Sequence, residues 1–524
     1  MEITIISLIE DVGCINLRYL SSYIRSKGHT TKLIFLPRLY SEGWGSDESY
    51  KYPYPTHIIN QIKELCLSSD VIAISLMSCH FDNAVHITKC LNTLAKPIIW
   101  GGIHPTISPY ECLNYADLVC IGEGEKSIVK FLNILEDTNY NSWCTKYSCH
   151  CSYLVGTSSS SCMVCEQKSN IAGTGLINSK DQPITVGERI ENLNDLPFPD
   201  YDFKHQYVLY KNNITPLNKN ILSECFNGRY RSSFSRGCTS SCTYCCNNVL
   251  KNLYGNHPIR WRSIDNQIAE LKWTKENLDN ITTIEFSDDT FLSRSTEEIK
   301  YFASRYKEEI NLPFTLLSTP LAVNYDKIKA LTWAGLINIG IGVQTVYEPT
   351  RNLYKRHETI DQTIKAAKII SQVSKDNAGL GSKSQIIIRY DFIVDNPWGN
   401  SIETEANIRF ALTLPKPRQI RIFSLVFYHG TELYNMAKKE KLIKDELNEV
   451  LRVTQLTPKP TYMNNVFTLL SKGCPDIIIK FLLNKHIRST KLVKILNYLW
   501  SKQKKYISTK HNAKEFNGLP GEII

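Results

Sequence analysis

Two periodicities run through residues 1–135. Apolar runs predict strands at Glu2–Leu8, Thr31–Leu36, Val71–Leu76, Ile98–Trp100 and Leu118–Ile121. Between the first two, Ile15, Leu17, Leu20 and Ile24 share one helical face, predicting a helix over Ile15–Lys27 that Gly28 stops. Val71–Leu76 has almost no polar residue, as expected of a strand covered on both faces. This rhythm predicts a doubly wound parallel sheet. A second strand–helix repeat runs from Tyr230 to about Leu442. Its strands read at Arg231–Ser235, Thr283–Ser287, Thr315–Ser318, Ile337–Gln344, Ile386–Val394 and Ile420–Phe427. Helices read at Ile264–Glu276, Tyr325–Ala334, Ile360–Val373 and Ile402–Leu412. Six βα units fit a partial (βα)6 barrel of the TIM type. After it, Ile477, Ile478, Phe481, Leu482, Leu492, Ile495, Leu496 and Leu499 recur at helical spacing. The fold class is therefore α/β, in four segments: a Rossmann-type sheet over 1–136, a linker with a cysteine-containing insertion over 137–225, the barrel over 226–442, and a basic helical region over 443–524.

Length agrees, since 524 residues exceed what one core organises. No apolar run approaches the ~20 residues of a membrane helix. The opening segment Glu2–Leu8 is too short, and lacks the basic flank, for a signal peptide. Seventeen cysteines, an odd number without framework spacing, fit a reducing compartment, and a cytoplasmic location is expected. Of the net charge of +10, Pro475–Glu515 holds ten Lys/Arg against two acids. That stretch has no nucleic-acid motif, so its charge reads as the solvated faces of amphipathic helices.

Candidate chemistry falls where strands end. Gly101-Gly102-Ile-His104-Pro-Thr106 follows the fourth predicted strand, and Gly122-Glu123-Gly124-Glu125 the fifth. Ligands of doubly wound sheets lie at those carboxyl ends, and glycines there let a ligand touch backbone. The G-x-G-x-x-G of a dinucleotide site is missing after the first strand. Just after the barrel's first strand comes Ser235-Arg-Gly-Cys238-Thr-Ser-Ser-Cys242-Thr-Tyr-Cys245-Cys246. Three thiolates spaced C-x3-C-x2-C can hold a 4Fe–4S cluster with one iron open to an external ligand. The alternative is zinc, but adjacent Cys246 is too constrained to supply a fourth ligand easily. Asp288 and Asp289 end the second barrel strand, where either could instead cap a helix. Gly340-Ile-Gly342-Val-Gln344 ends the fourth. Cys144, Cys149, Cys151, Cys162 and Cys165 in the linker read as incidental thiols or, alternatively, a second metal site.

Together these motifs resemble the radical S-adenosylmethionine (SAM) enzymes that carry an N-terminal cobalamin-binding domain, the class B methyltransferase-like group. The resemblance covers about 1–135 and 190–445. It implies a cluster on Cys238, Cys242 and Cys245. SAM would meet Asp288, Asp289, Gly342 and Gln344, and cobalamin would meet Gly101, Gly102, His104, Thr106, Gly122, Glu123 and Gly124. The Asp-x-His-x-x-Gly motif that supplies an axial histidine elsewhere is not found. Where the family has Pro-Gly-Thr, this chain has His429-Gly430-Thr431. The implied chemistry is methylation of an unactivated carbon of a small-molecule or natural-product substrate, through a 5′-deoxyadenosyl radical and methylcobalamin. An electron donor such as flavodoxin or ferredoxin is implied, and no nucleic acid or membrane. A non-methylating rearrangement or cyclisation would use the same parts. A methylthiotransferase would need further cluster cysteines before residue 137 and a C-terminal β-barrel.

Overall fold

The computed structural model describes residues 1–9, 11–37, 53–137, 171, 174–255, 258–379, 385–451, 453, 458–484, 486 and 491–498. The linker cysteines Cys144, Cys149, Cys151, Cys162 and Cys165 lie outside the described residues. The chain forms two compact units. The first comprises Met1–Cys238, Tyr244–Thr282 and Phe427–Val453, the second Thr239–Thr243, Thr283–Val426 and Thr454–Ile524.

The first unit is built on strands β1 (Glu2–Ser7), β2 (Thr30–Phe35), β3 (Val71–Ser75), β4 (Ile98–Gly101) and β5 (Leu118–Cys120), all expected from the sequence. Three more join them: β6 (Leu176–Ile177), β7 (Gln206–Tyr210) and β8 (Asn213–Pro216). The order is β6-β5-β4-β3-β1-β2-β7-β8. β1 to β5 and β7 run parallel, while β6 and β8 are antiparallel to their neighbours. β1 has β3 on one side and β2 on the other, so the winding reverses there and opens a crevice at the carboxyl ends. Ser7, Ser75 and Gly101 are in register at that end.

Residues past 136 thus belong to this sheet. β7 and β8 close a hairpin through Lys211 (φ 47°) and Asn212 (φ 66°), the two left-handed residues that a tight hairpin turn requires. The helix Ile15–Ser26 is held to the proline-rich segment before β7 by Arg18, which is fully buried. Arg18 Nη1 donates to the Asp200 carbonyl at 2.6 Å and to Gln206 Oε1 at 2.8 Å, and its guanidinium lies 4.0 Å from the centre of the Tyr201 ring. Two short strands, β9 (Arg229–Ser232) and β10 (Ser235–Arg236), replace the single expected strand before the cysteines, and β10 pairs antiparallel with β11 (Arg260–Trp261).

The second unit holds β12 (Thr283–Phe286), β13 (Phe314–Ser318), β14 (Leu336–Gln344), β15 (Ile387–Val394) and β16 (Arg418–Ser424), a parallel sheet in sequence order. Helices cover it for reasons legible in the chain. In Thr296–Glu309, Ile299, Phe302, Ala303 and Tyr306 form one buried stripe. Phe302 stands edge-on to Phe286 at 5.7 Å, and Tyr306 to Phe314 at 4.9 Å. In the helix Asp476–Leu482 the buried positions are Ile479 and Leu482, while Ile477 (76% exposed) and Phe481 (52% exposed) face outward. The expected apolar stripe is therefore only half covered. No helix among the described residues is long and apolar enough to cross a membrane.

Candidate functional site

At the carboxyl end of the first unit's sheet, Gly102 (φ 102°) turns β4 into the short helix Ile103–Ile107. A Cβ there would lie 2.8 Å from the Leu76 carbonyl oxygen, so the turn needs glycine for backbone packing. Gly101 and Gly124 would take a Cβ in ordinary contact. Thr106 Oγ1 donates to the Gly102 carbonyl at 2.8 Å and accepts from the Gly122 N–H at 3.0 Å, fastening the two glycine turns together. His104 is fully buried, edge-on to Phe81, and its Nδ1 shares a 3.0 Å hydrogen bond with Ser78 Oγ. Burial, then His429, pushes its pKa down to about 3, so the ring is neutral. Its Nε2 and Glu111 Oε2 stand 3.8 Å apart, both buried and without a hydrogen bond.

Glu123 is differently employed. Its carboxylate pairs with Arg236 Nη1 at 2.9 Å and with both terminal nitrogens of Arg260, and its N–H donates to Tyr254 Oη at 2.7 Å. Burial raises its pKa, but Arg236 and Arg260 outweigh that and hold it below the ordinary carboxylate value. Both its carboxylate and its N–H are engaged by protein. His429, the departure from the family pattern, is 7% exposed. Its Nδ1 shares a 2.6 Å hydrogen bond with Ser108 Oγ, its Nε2 lies 3.1 Å from Glu446 Oε1, and its ring stacks on Tyr434 at 4.6 Å.

Cys238, Cys242 and Cys245 occupy one continuous loop. Cys242 is buried (6% exposed), and Cys238 and Cys245 are half-buried. Thr243 anchors the loop by donating through Oγ1 to the Leu353 carbonyl at 2.8 Å and through N–H to the Tyr354 carbonyl at 3.3 Å. Cys245 is the N-cap residue of the helix Cys246–Leu253. Among the described residues no three His, Cys, Asp or Glu side chains converge on a single metal ion. Ligands to three different irons of a cubane stand farther apart than that, and the donor set, three thiols on one loop, fits the cluster.

In the second unit Asp288 is buried just past the end of β12, near Arg294, whose charge it partly balances. Neither Asp288 nor Asp289 caps the following helix. Ser295 does so, in a reciprocal capping box with Glu298. At the end of β14 the register slips between Gly342 and Gln344, and Gln344 takes φ 65°. A small cavity there is lined by Gly342, Thr345, Arg351, Arg356, Glu358 and Thr363. Arg356 is one of the two arginines that line it. In the structure its Nη2 donates to the Gly342 carbonyl at 2.7 Å, and it pairs with Glu358 at 3.2 Å.

The sequence profile of the B12 binding domain matches residues 1–132, and that of the Radical SAM superfamily matches residues 232–388. No curated protein matches by sequence. The structure of the radical SAM methyltransferase TsrM from Kitasatospora setae, with tryptophan substrate and a SAM analogue bound, superposes at TM-score 0.58 and 11% identity. The match covers 84% of this chain and 76% of that one. The cobalamin-dependent SAM radical enzyme OxsB, with aqua-cobalamin and SAM bound, superposes at TM-score 0.60 and 15% identity, covering 97% and 73%. These likenesses show a shared fold. With a B12 binding domain and a Radical SAM domain matched in one chain, this is a radical SAM enzyme with a cobalamin-binding domain, and its cofactors are a 4Fe–4S cluster, SAM and cobalamin.

Proposed function

We propose that this enzyme methylates an unactivated carbon of a small-molecule substrate. The observation that carries the reading is the joint presence of the B12-binding and radical SAM domains in one chain. Bound, the cluster and SAM supply a hydrogen-abstracting radical, and cobalamin supplies a transferable methyl group. A one-electron donor of the flavodoxin or ferredoxin kind serves the cluster.

The chain's own residues bind, orient and shield. Cys238, Cys242 and Cys245 would hold the cluster through three thiolates. Arg356 Nη1, 3.7 Å from the Cys242 sulfur, is a charge-assisted donor to that ligand. Asp288 and Asp289 present carboxylates suited to a protonated amino group, and Gly342 with the kinked Gln344 shapes the adjacent wall. Gly101 and Gly124 would lie nearest a corrin, with Gly102, His104, Thr106 and Gly122 shaping the turns that hold it. Neutral His104, with Nε2 lacking a hydrogen bond, suits a neutral amide ligand.

The test supplies SAM with a trideuterated methyl group to anaerobically reconstituted protein with a reductant. Methylation predicts label in the cobalamin fraction together with 5′-deoxyadenosine. Deoxyadenosine with no label on cobalamin contradicts it and favours a rearrangement or cyclisation on the same cofactors.

A further inference from the structure

The Gly-Glu-Gly-Glu segment after β5 ends in two carboxylates that point away from solvent: the side chains of Glu123 and Glu125 are 14% and 5% exposed. Their partners are not local. Arg236 reaches both, Nη1 to Glu123 at 2.9 Å and Nη2 to Glu125 at 2.6 Å. Arg260 grips the same Glu123 carboxylate, with Nη1 at 3.2 Å from Oε2. Two carboxylates meet two guanidiniums, so the cluster of charges is neutral and every arm is charge-assisted.

Arg236 and Arg260 are also each other's partners across the β10–β11 pairing, at the two ends of the chain segment that forms the cysteine loop. Gly237, at φ 109°, turns the chain directly from Arg236 into Cys238. On the return side, Tyr254 is the C-cap residue of the helix that begins at Cys246, and its hydroxyl accepts from the Glu123 N–H. Any shift of Glu123 is therefore passed to both ends of the loop. We infer that Glu123 and Glu125 are positioning residues for the cysteine loop, fixing its two ends from the cobalamin-binding domain, and that they do not contact a corrin. The inference rests on the reading that Cys238, Cys242 and Cys245 hold the cluster.

The experiment uses the full chain, reconstituted anaerobically with iron and sulfide. It compares Glu123→Gln, Glu123→Asp and Glu125→Gln for iron content, for the EPR spectrum of the reduced cluster with and without SAM, and for the dissociation constant of hydroxocobalamin. In Glu123→Gln, iron content is expected to fall at least threefold or the SAM-dependent EPR change to vanish, with cobalamin affinity within twofold. Glu123→Asp, which keeps the charge, is expected to recover at least half of the loss. An unchanged cluster in both glutamine variants overturns the inference. So does a tenfold loss of cobalamin affinity with the cluster intact. If Glu123→Gln does not fold, Glu125→Gln, which leaves Arg260 on Glu123, is judged by the same readouts. A Cys238→Ala/Cys242→Ala/Cys245→Ala variant separates the two readings. A cluster that survives there sinks the ligand assignment, whereas one lost there but untouched in the glutamine variants sinks only the positioning role.

Discussion

The guanidinium of Arg356 reaches the sulfur of Cys242, with Nη1 at 3.7 Å, while its other nitrogen holds the Gly342 carbonyl. One side chain thereby ties a proposed cluster ligand to the strand end beside the proposed SAM site. Its ion-pair partner Glu358 is 8% exposed. Arg356→Gln leaves that carboxylate buried without its cation, a loss of about 3 kcal/mol. Urea unfolding of the reconstituted protein is expected to show that loss, with iron content at least halved. Arg356→Lys keeps the charge without the fork, so it should retain most of the stability but alter the EPR spectrum. Unfolding curves that coincide for the glutamine variant and the unsubstituted protein would contradict this.

Buried histidines set an acid limit on stability. Burial, with His429 adding to it, pushes His104 down to about 3, and burial pushes His80 down to about 4. In the unfolded chain both titrate near ~6.5. Above that pH both are neutral in either state and cost nothing. Below it, the unfolded chain takes up protons that the folded chain refuses. Stability should therefore fall by about 1.4 kcal/mol per pH unit for each histidine as the pH drops from ~6.5 toward the folded values. Denaturant midpoints at pH 7.5 and 5.5 measure the drop. His104→Gln should shrink it by about 1.4 kcal/mol, and an unchanged drop in that variant would show that His104 is not the source.

Gly122 takes φ 83°, and a Cβ there would collide with the Tyr254 hydroxyl and lie 3.0 Å from Val186 Cγ1. Left-handed strain and overlap together predict that Gly122→Ala costs about 2–4 kcal/mol. Tyr254→Phe removes the colliding oxygen and also the acceptor of the Glu123 N–H. The double variant is expected to be more stable than the sum of the singles by about 1 kcal/mol. Strict additivity in a double-mutant cycle would refute the contact.

The strands of the second unit were legible because each is a short apolar run closed by a turn or cap. Tyr325–Ala334 matches the expected helix, with Asn324 as its N-cap and Gly335 after it. β7 and β8 were hidden by the prolines around them, although the Lys211-Asn212 turn between apolar residues was a usable signal. The half-exposed stripe of Asp476–Leu482 shows the limit of periodicity, since spacing alone does not say which flank of a face is covered. The motif residues were visible as types, yet their partners were not. Nothing local to Glu123 announces arginines at 236 and 260, and only folding brings His429 onto Ser108 and Glu446. Helix capping, an open alternative for Asp288 and Asp289, falls to Ser295 instead.

The proposed enzyme combines a three-cysteine cluster with cobalamin in one chain to cleave SAM. Anaerobic reconstitution with iron, sulfide and hydroxocobalamin, followed by optical and EPR spectra and a SAM-cleavage assay, tests it most directly across single Cys→Ala variants at 238, 242, 245 and 246. Bound cobalamin is expected, together with a cluster and 5′-deoxyadenosine formation that are lost at Cys238, Cys242 and Cys245 but kept at Cys246. A cluster that survives loss of Cys242, or one formed without any bound cobalamin, would contradict it.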